Sequence, residues 1–248
     1  MSDSTPPNPS PRIRVAGTGG LVVEFGSVVD SRLNRLVMAL DARFQEAAWP
    51  GVIETVPTYR SLLVVFDPLV ADRRALAQEL ATLAADVPID EEPATRRWHV
   101  PVAYGGNFGE DLDHVAALHG LDPGEVIRQH ASVEYRVFMI GFAPGFAYLG
   151  GLTKALHTPR RLDPRQRIPA GSITVGGLQA AITSIEAPSG WHMLGRTPLR
   201  TFDLRRPDPF LFRPGDRVRF RPISEEEHAR LSTLADMGVI TADVEKLA

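Results

Sequence analysis

Four arginines, Arg160, Arg161, Arg165 and Arg167, fall within eight residues of the segment 158–172, TPRRLDPRQRIPAGS. Guanidinium forks grip carboxylates and phosphates through paired hydrogen bonds, and the three prolines of this segment stiffen the loop that presents them. Arg165 and Arg167 share a direction if the chain runs extended there. The same residues equally fit a solvated basic loop paired with nearby acids. A second chemistry-bearing stretch, 188–198 (PSGWHMLGRTP), offers Trp191 as a flat apolar wall, His192 as a titrating group and Arg196 as another anion contact. It also fits a hairpin with a packed tryptophan. In 173–183 (ITVGGLQAAIT), Gln179 is a lone amide after the glycine pair Gly176-Gly177. It is suited either to an amide or carbonyl ligand or to simple exposure by strand alternation.

Residues 138–151, FMIGFAPGFAYLGG, carry no charge at all. Phe138, Phe142 and Phe146 recur every four residues as on a helix, but Pro144 and Gly145 argue against one. A strand leading into a tight loop is expected, bringing backbone close to a ligand or simply closing a core turn.

Other chemistries are excluded or unsupported. The chain has no cysteine, so disulfides and thiolate nucleophiles are ruled out. Its only lysines are Lys154 and Lys246, and no GxxxxGK[ST] phosphate loop, GxSxG elbow or GxGxxG fingerprint occurs. His114 and His119 are five apart, which does not place them on one helix face, and no metal site is expected. A net charge of −3 with no basic run among aromatics argues against nucleic acid. No uncharged run reaches membrane-spanning length, so no membrane association is expected and a cytoplasmic protein is the default.

The elements that must position these groups divide the chain. Residues 1–11 are polar and proline-rich, as in a disordered tail. Residues 12–87 read as an α+β domain, with strands at 13–15, 21–25, 52–56 and 61–66 and helices opened by Asp30 or Ser31 and by Asp72. Residues 88–97 read as a linker. Residues 98–223 begin with a strand at 98–103 and two short helices, the second capped by Asp122 with Pro123 at its first position. Strands at 173–175, 180–185, 201–204 and 217–221 then suggest a β-barrel or sandwich. Residues 224–248 read as a helical segment with Ser224 and Glu227 forming a capping box.

The motifs GFAPGFAYLGGL, PRQRIPAGS, GGLQ and GWHMLGRTP, with PTYRSLLVVFDP and YGGNFGEDLDHVAALHGL earlier, resemble those of the bacterial 5-oxoprolinase B-subunit family. That family is also labelled allophanate hydrolase subunit 1 and includes KipI-type kinase inhibitors. The resemblance spans residues 12–223. It implies a small α+β domain followed by a cyclophilin-like β-barrel, and a complex with a paralogous C component (KipA-like) and an A component. Together these hydrolyse 5-oxoproline to glutamate at the expense of ATP, the nucleotide being bound in the complex and not by a phosphate loop of this chain. On this chain it implies a site for a small anionic substrate built from Phe142, Gly145, Phe146, Arg160, Arg165, Arg167, Gln179, Trp191 and Arg196. Arg167 and His192 are its catalytic candidates. Two other functions accompany the resemblance: an inhibitor of a sensor histidine kinase, and a carboxyltransferase module like that of urea carboxylases. The chain departs from the family's usual GG-x-QTGIYP at Ala180, Ala181, Thr183 and Ser184, and carries His192 where glutamine is common.

Overall fold

A computed structural model describes residues 11–87 and 96–247, which fall in two compact units, Met1–Pro93 and Ala94–Ala248. The expected tail, residues 1–10, and nearly all of the expected linker lie outside the described residues.

In the first unit, strands β1 (Arg12–Val15), β2 (Gly20–Glu24), β3 (Val52–Pro57) and β4 (Ser61–Phe66) form an antiparallel sheet in the order β1-β2-β4-β3. Alternation buries Leu62, Val64 and Phe66 of β4 on one face. Helices α1 (Ser31–Glu46) and α2 (Arg73–Ala85) cover that face, their apolar residues Leu33, Leu36, Val37, Leu40 and Phe44, and Leu76 and Leu80, recurring at helical spacing. Each start is fixed by an aspartate. Asp30 accepts from the Arg32 and Leu33 amides, and Asp72 from those of Arg74 and Ala75.

The second unit is a closed seven-stranded barrel, so the fold class is α+β. Its strands are β5 (Arg96–Tyr104), β6 (Tyr135–Ile140), β7 (Ala147–Gly150), β9 (Ser172–Gly176), β10 (Gln179–Ile182), β12 (His192–Arg196) and β13 (Arg217–Pro222). The order β12-β9-β10-β7-β6-β13-β5 closes where β12 returns to β5 at Gly195↔Tyr104 and Arg196↔Ala103. Val100, Val102, Tyr135, Val137, Leu149, Ile173, Val175, Ile182 and Val218 belong to its buried core. Helices α3 (Leu112–His119) and α4 (Pro123–Ser132) join β5 to β6, and Asp122 accepts from the Glu125 amide at 2.9 Å as the N-cap reading requires. A ribbon of β8 (Arg165–Ile168) and β11 (Ala187–Ser189) stands beside the barrel sheet.

Three expectations need correction. Residues 201–204 form no strand; one bridge, Phe202↔Phe210, is all the pairing there, because Arg205 and Arg206 tie this loop through Asp203 and nearby carbonyls. The tail after residue 224 is not all helix. Helix α5 (Glu225–Asp236) gives way to a short strand, β14 (Asp243–Lys246), that pairs antiparallel with the start of β5. The capping box is half formed: Ser224 accepts from the Glu227 amide, but the Glu227 carboxylate binds Arg230 instead of reaching back.

Candidate functional site

The uncharged segment 138–151 becomes β6, a loop and β7. The Phe146 amide donates to the Ala143 carbonyl at 3.0 Å, with Pro144 and Gly145 as the central residues. Gly145 has φ +74°, the third-position geometry of a type II turn. A side chain there also has no room, since a Cβ would stand 2.7 Å from that of Phe202. Phe142 adopts φ +71°, costly for an aromatic residue, and is 68% exposed while its ring meets Phe146 edge-on at 5.5 Å. From Phe146 the aromatic row continues to Tyr148 at 4.7 Å and on to Trp191 at 6.0 Å. Trp191 can lie here because Gly176 has no side chain: a Cβ on it would come 2.7 Å from the indole. Buried Ala181 packs with Phe146 and Trp191 on the outer face of the barrel.

These rings bound a cleft of about 220 Å³ lined by Phe142, Phe146, Tyr148, Arg160, Ser189 and Trp191, with Pro188 and Gly190 at its edge. The Arg160 guanidinium lies 5.5 Å from the Trp191 ring centroid, a cation–π distance, and has no ion-pair partner among the described residues. Burial pushes the Tyr148 hydroxyl above its ordinary pKa, with Arg160 pulling weakly the other way. The cleft thus presents one uncompensated cation, apolar walls and the hydroxyls of Tyr148 and Ser189.

The arginines of the prolyl segment do not act together. Arg165 forks onto Asp111 at 2.5 and 2.9 Å, and Arg161 binds the same carboxylate at 2.7 Å. The Met193 amide completes its shell at 2.8 Å. Burial alone raises the Asp111 carboxyl, but the hydrogen bonds from Arg165 and Met193 and the charges of both arginines outweigh it and hold the pKa low. Arg165 is therefore a clamp and not a substrate contact: with Arg161 it ties the loop before β8 to Asp111 and, through the Met193 amide, to β12. Arg167 is largely exposed, bonded to Glu186, and is not among the cleft-lining residues, so its catalytic candidacy is not supported.

His192 is buried, and its Nε2 lies 2.9 Å from the Pro159 carbonyl, which can only accept; Nε2 therefore carries the proton. Its ring stacks on His114 at 5.3 Å in a neighbouring cleft, and desolvation lowers its pKa, so it stands as a neutral anchor and not at the aromatic cleft. Gln179 shares the outer face with Ala181 two residues on, opposite Gly176, and makes no side-chain hydrogen bond among the described residues. Arg196 lies over Phe108 at 5.0 Å in another cavity.

The departures in 180–184 leave this cleft intact. Ala180 faces the barrel core, so a hydroxyl there would not reach the ligand wall. Thr183 accepts from the Ser172 amide and donates to the Pro169 carbonyl, closing the turn between β8 and β9. Sequence reasoning missed Asp111, Tyr148 and Ser189. Only Tyr148 had a usable signal, standing two residues from Phe146 as same-face strand residues do.

The family model for the carboxyltransferase domain, subdomain C and D, matches residues 11–212. The chain is 38% identical over 231 residues to the 5-oxoprolinase B subunit of Bacillus subtilis (strain 168), covering 88% of this chain and 95% of that one. A crystal structure of TTHA0988 superposes with TM-score 0.74 at 35% identity, covering 86% of this chain and 40% of that one. The urea amidolyase of K. lactis superposes with TM-score 0.84 at 21% identity over 99% of this chain and 17% of its own length, a likeness of fold alone. The domain match over most of the sequence and the near full-length likeness to the B. subtilis protein agree: the chain belongs to the 5-oxoprolinase B-subunit family.

Proposed function

We propose that the chain is the B subunit of an ATP-dependent 5-oxoprolinase, hydrolysing 5-oxoproline to L-glutamate together with the A and C components of the complex, and that the aromatic cleft receives the substrate. Arg160 carries this reading: a guanidinium with no ion-pair partner among the described residues, held over Trp191 beside uncharged walls. 5-Oxoproline is a five-membered lactam bearing one carboxylate. Its carboxylate suits the Arg160 fork, and its flat ring suits the faces of Phe146 and Trp191. The Tyr148 and Ser189 hydroxyls are the polar groups of the lining that suit the lactam amide. Such a site binds, orients and shields one face of the ring from water.

ATP does not fit these residues. The sequence has no phosphate loop, the cleft has one arginine, and no group of three or more metal-binding side chains occurs among the described residues. The nucleotide is accordingly assigned to another part of the assembly, and no phosphoryl-transfer step is given to this chain.

Titrating 5-oxoproline against the fluorescence of a variant that keeps Trp191 as its one tryptophan, with Trp49 and Trp98 changed to phenylalanine, tests the assignment. Saturable quenching is expected, weakened about tenfold or more by Arg160→Gln; equal binding by that variant would contradict it. A second reading, a carboxyltransferase module of urea carboxylase type, is favoured by the matching domain description and the fold likeness. It predicts that biotin, and not 5-oxoproline, quenches Trp191.

A further inference from the structure

Asp111 is not among the residues that line the aromatic cleft, yet three that are connect to it by short routes. It is 3% exposed and lies just before α3. The first route runs to Arg160. Arg161, the next residue, donates from Nη1 to Asp111 Oδ1 at 2.7 Å and from its amide to the Gly190 carbonyl at 2.7 Å. The second runs to Ser189. Arg165 forks onto both carboxylate oxygens at 2.5 and 2.9 Å, and it is the residue paired with Ser189 across the β8–β11 ribbon. The third runs to Trp191. Met193, two residues on, donates its amide to Oδ2 at 2.8 Å and accepts from the Asp111 amide at 3.0 Å. The Trp191 amide in turn donates to the Ser189 hydroxyl at 3.1 Å, which joins the second and third routes.

A guanidinium that is to grip a ligand's carboxylate cannot be tied to one of the protein's own, so something else must hold it. Arg160 has no ion-pair partner among the described residues. Its backbone is held from both sides instead, at Pro159, whose carbonyl accepts from His192, and at Arg161, bound to Asp111. By taking Arg161 and Arg165, Asp111 also leaves Arg160 as the one arginine of the cleft lining. The carboxylate is matched to this task. Oδ1 accepts from Arg161 and Arg165, and Oδ2 from Arg165 and Met193. An asparagine has one accepting oxygen, so whichever way its amide turned it would lose two of these four bonds.

We propose that Asp111 is the positioning residue of the cleft: it touches no ligand, and it decides whether Arg160, Ser189 and Trp191 stand together to receive one. The proposal deepens the reading of the cleft as the 5-oxoproline site and, for its ligand, rests on that reading.

Two measurements on the full chain test it. Asp216→Asn is the comparison, because Asp216 is another buried carboxylate, bonded to Arg96 at 2.7 and 3.0 Å, and neither residue lines the cleft. Each variant is used below its unfolding transition, with the circular dichroism of the parent. In hydrogen exchange read by mass spectrometry, Asp111→Asn is expected to speed exchange about tenfold or more in segments 159–165 and 188–193 relative to the rest of the second unit. Asp216→Asn is expected not to single them out. By calorimetry, Asp111→Asn is expected to weaken 5-oxoproline binding about tenfold or more, while Asp216→Asn binds as the parent does. Arg161→Gln leaves the Arg165 fork in place, so it serves if Asp111→Asn does not fold, with the same changes expected at severalfold. The proposal is overturned if the folded Asp111 and Arg161 variants show no selective rise in exchange, if they bind 5-oxoproline as tightly as the parent, or if Asp216→Asn weakens binding equally. A parent that does not bind 5-oxoproline overturns the reading of the cleft, and the exchange result then decides the positioning role by itself.

Discussion

At the residue scale, the decisive fact is that four neighbouring arginines have three different fates. Arg161 and Arg165 are spent on Asp111, Arg167 on Glu186, and only Arg160 stands over the cleft without a carboxylate. Sequence identified the cluster but could not divide it, because Asp111 lies 50 residues from Arg161 and fits a helix start as well as an ion pair. Trp191 and the Phe142–Phe146 pair were legible, since a tryptophan beside glycine and a proline-glycine loop have few uses. Asp111→Asn is expected to cost about 3 kcal/mol or more in unfolding free energy, as breaking a buried ion pair does, measurable by urea denaturation. Arg167→Gln, by contrast, changes an exposed pair and should cost under about 1 kcal/mol.

At the scale of elements, what was readable was what local chemistry dictates. Asp30, Asp72 and Asp122 cap the helices expected of them, and Pro144-Gly145 makes the turn that the pair favours. What was not readable depends on distant partners. β14 has four exposed residues and no apolar pattern; it is a strand because the edge of β5 offers hydrogen bonds and because Glu245 meets Arg97 and His99. Residues 201–204 looked like a strand by composition, yet the seven-stranded barrel closes without them. Gly145→Ala is expected to destabilise by at least about 1–2 kcal/mol, from the left-handed backbone and the Phe202 contact, in the same denaturation assay. Gly176→Ala must push the indole of Trp191 aside, so in a variant with Trp191 as its one tryptophan the emission maximum should shift to the red and ligand quenching should fall. An unchanged spectrum would show that Gly176 is not what admits the ring.

At the scale of the whole molecule, buried histidines set the acid response. Desolvation holds His130 at a pKa of about 3 and His228 at about 4, and lowers His192 as well. Above pH of about 6.5 these rings are neutral in folded and unfolded chains alike, and stability is at its full value. Below it the unfolded chain takes up protons that the folded chain refuses, so stability falls by up to about 1.4 kcal/mol per pH unit for each ring. Between about pH 6.5 and 5 carboxylates remain ionised in both states, so the slope there reports histidines. His130→Gln should reduce that slope by about one proton; an unchanged slope would mean His130 is not held neutral.

The central proposal, that Arg160 in an aromatic cleft serves 5-oxoproline hydrolysis, is tested most directly by reconstituting the chain with the A and C components proposed for it and measuring ADP release with and without 5-oxoproline. The predicted result is substrate-dependent release that Arg160→Gln lowers at least about tenfold and Arg167→Gln leaves nearly unchanged. Release indifferent to 5-oxoproline in the intact complex, or full activity in the Arg160 variant, would contradict it.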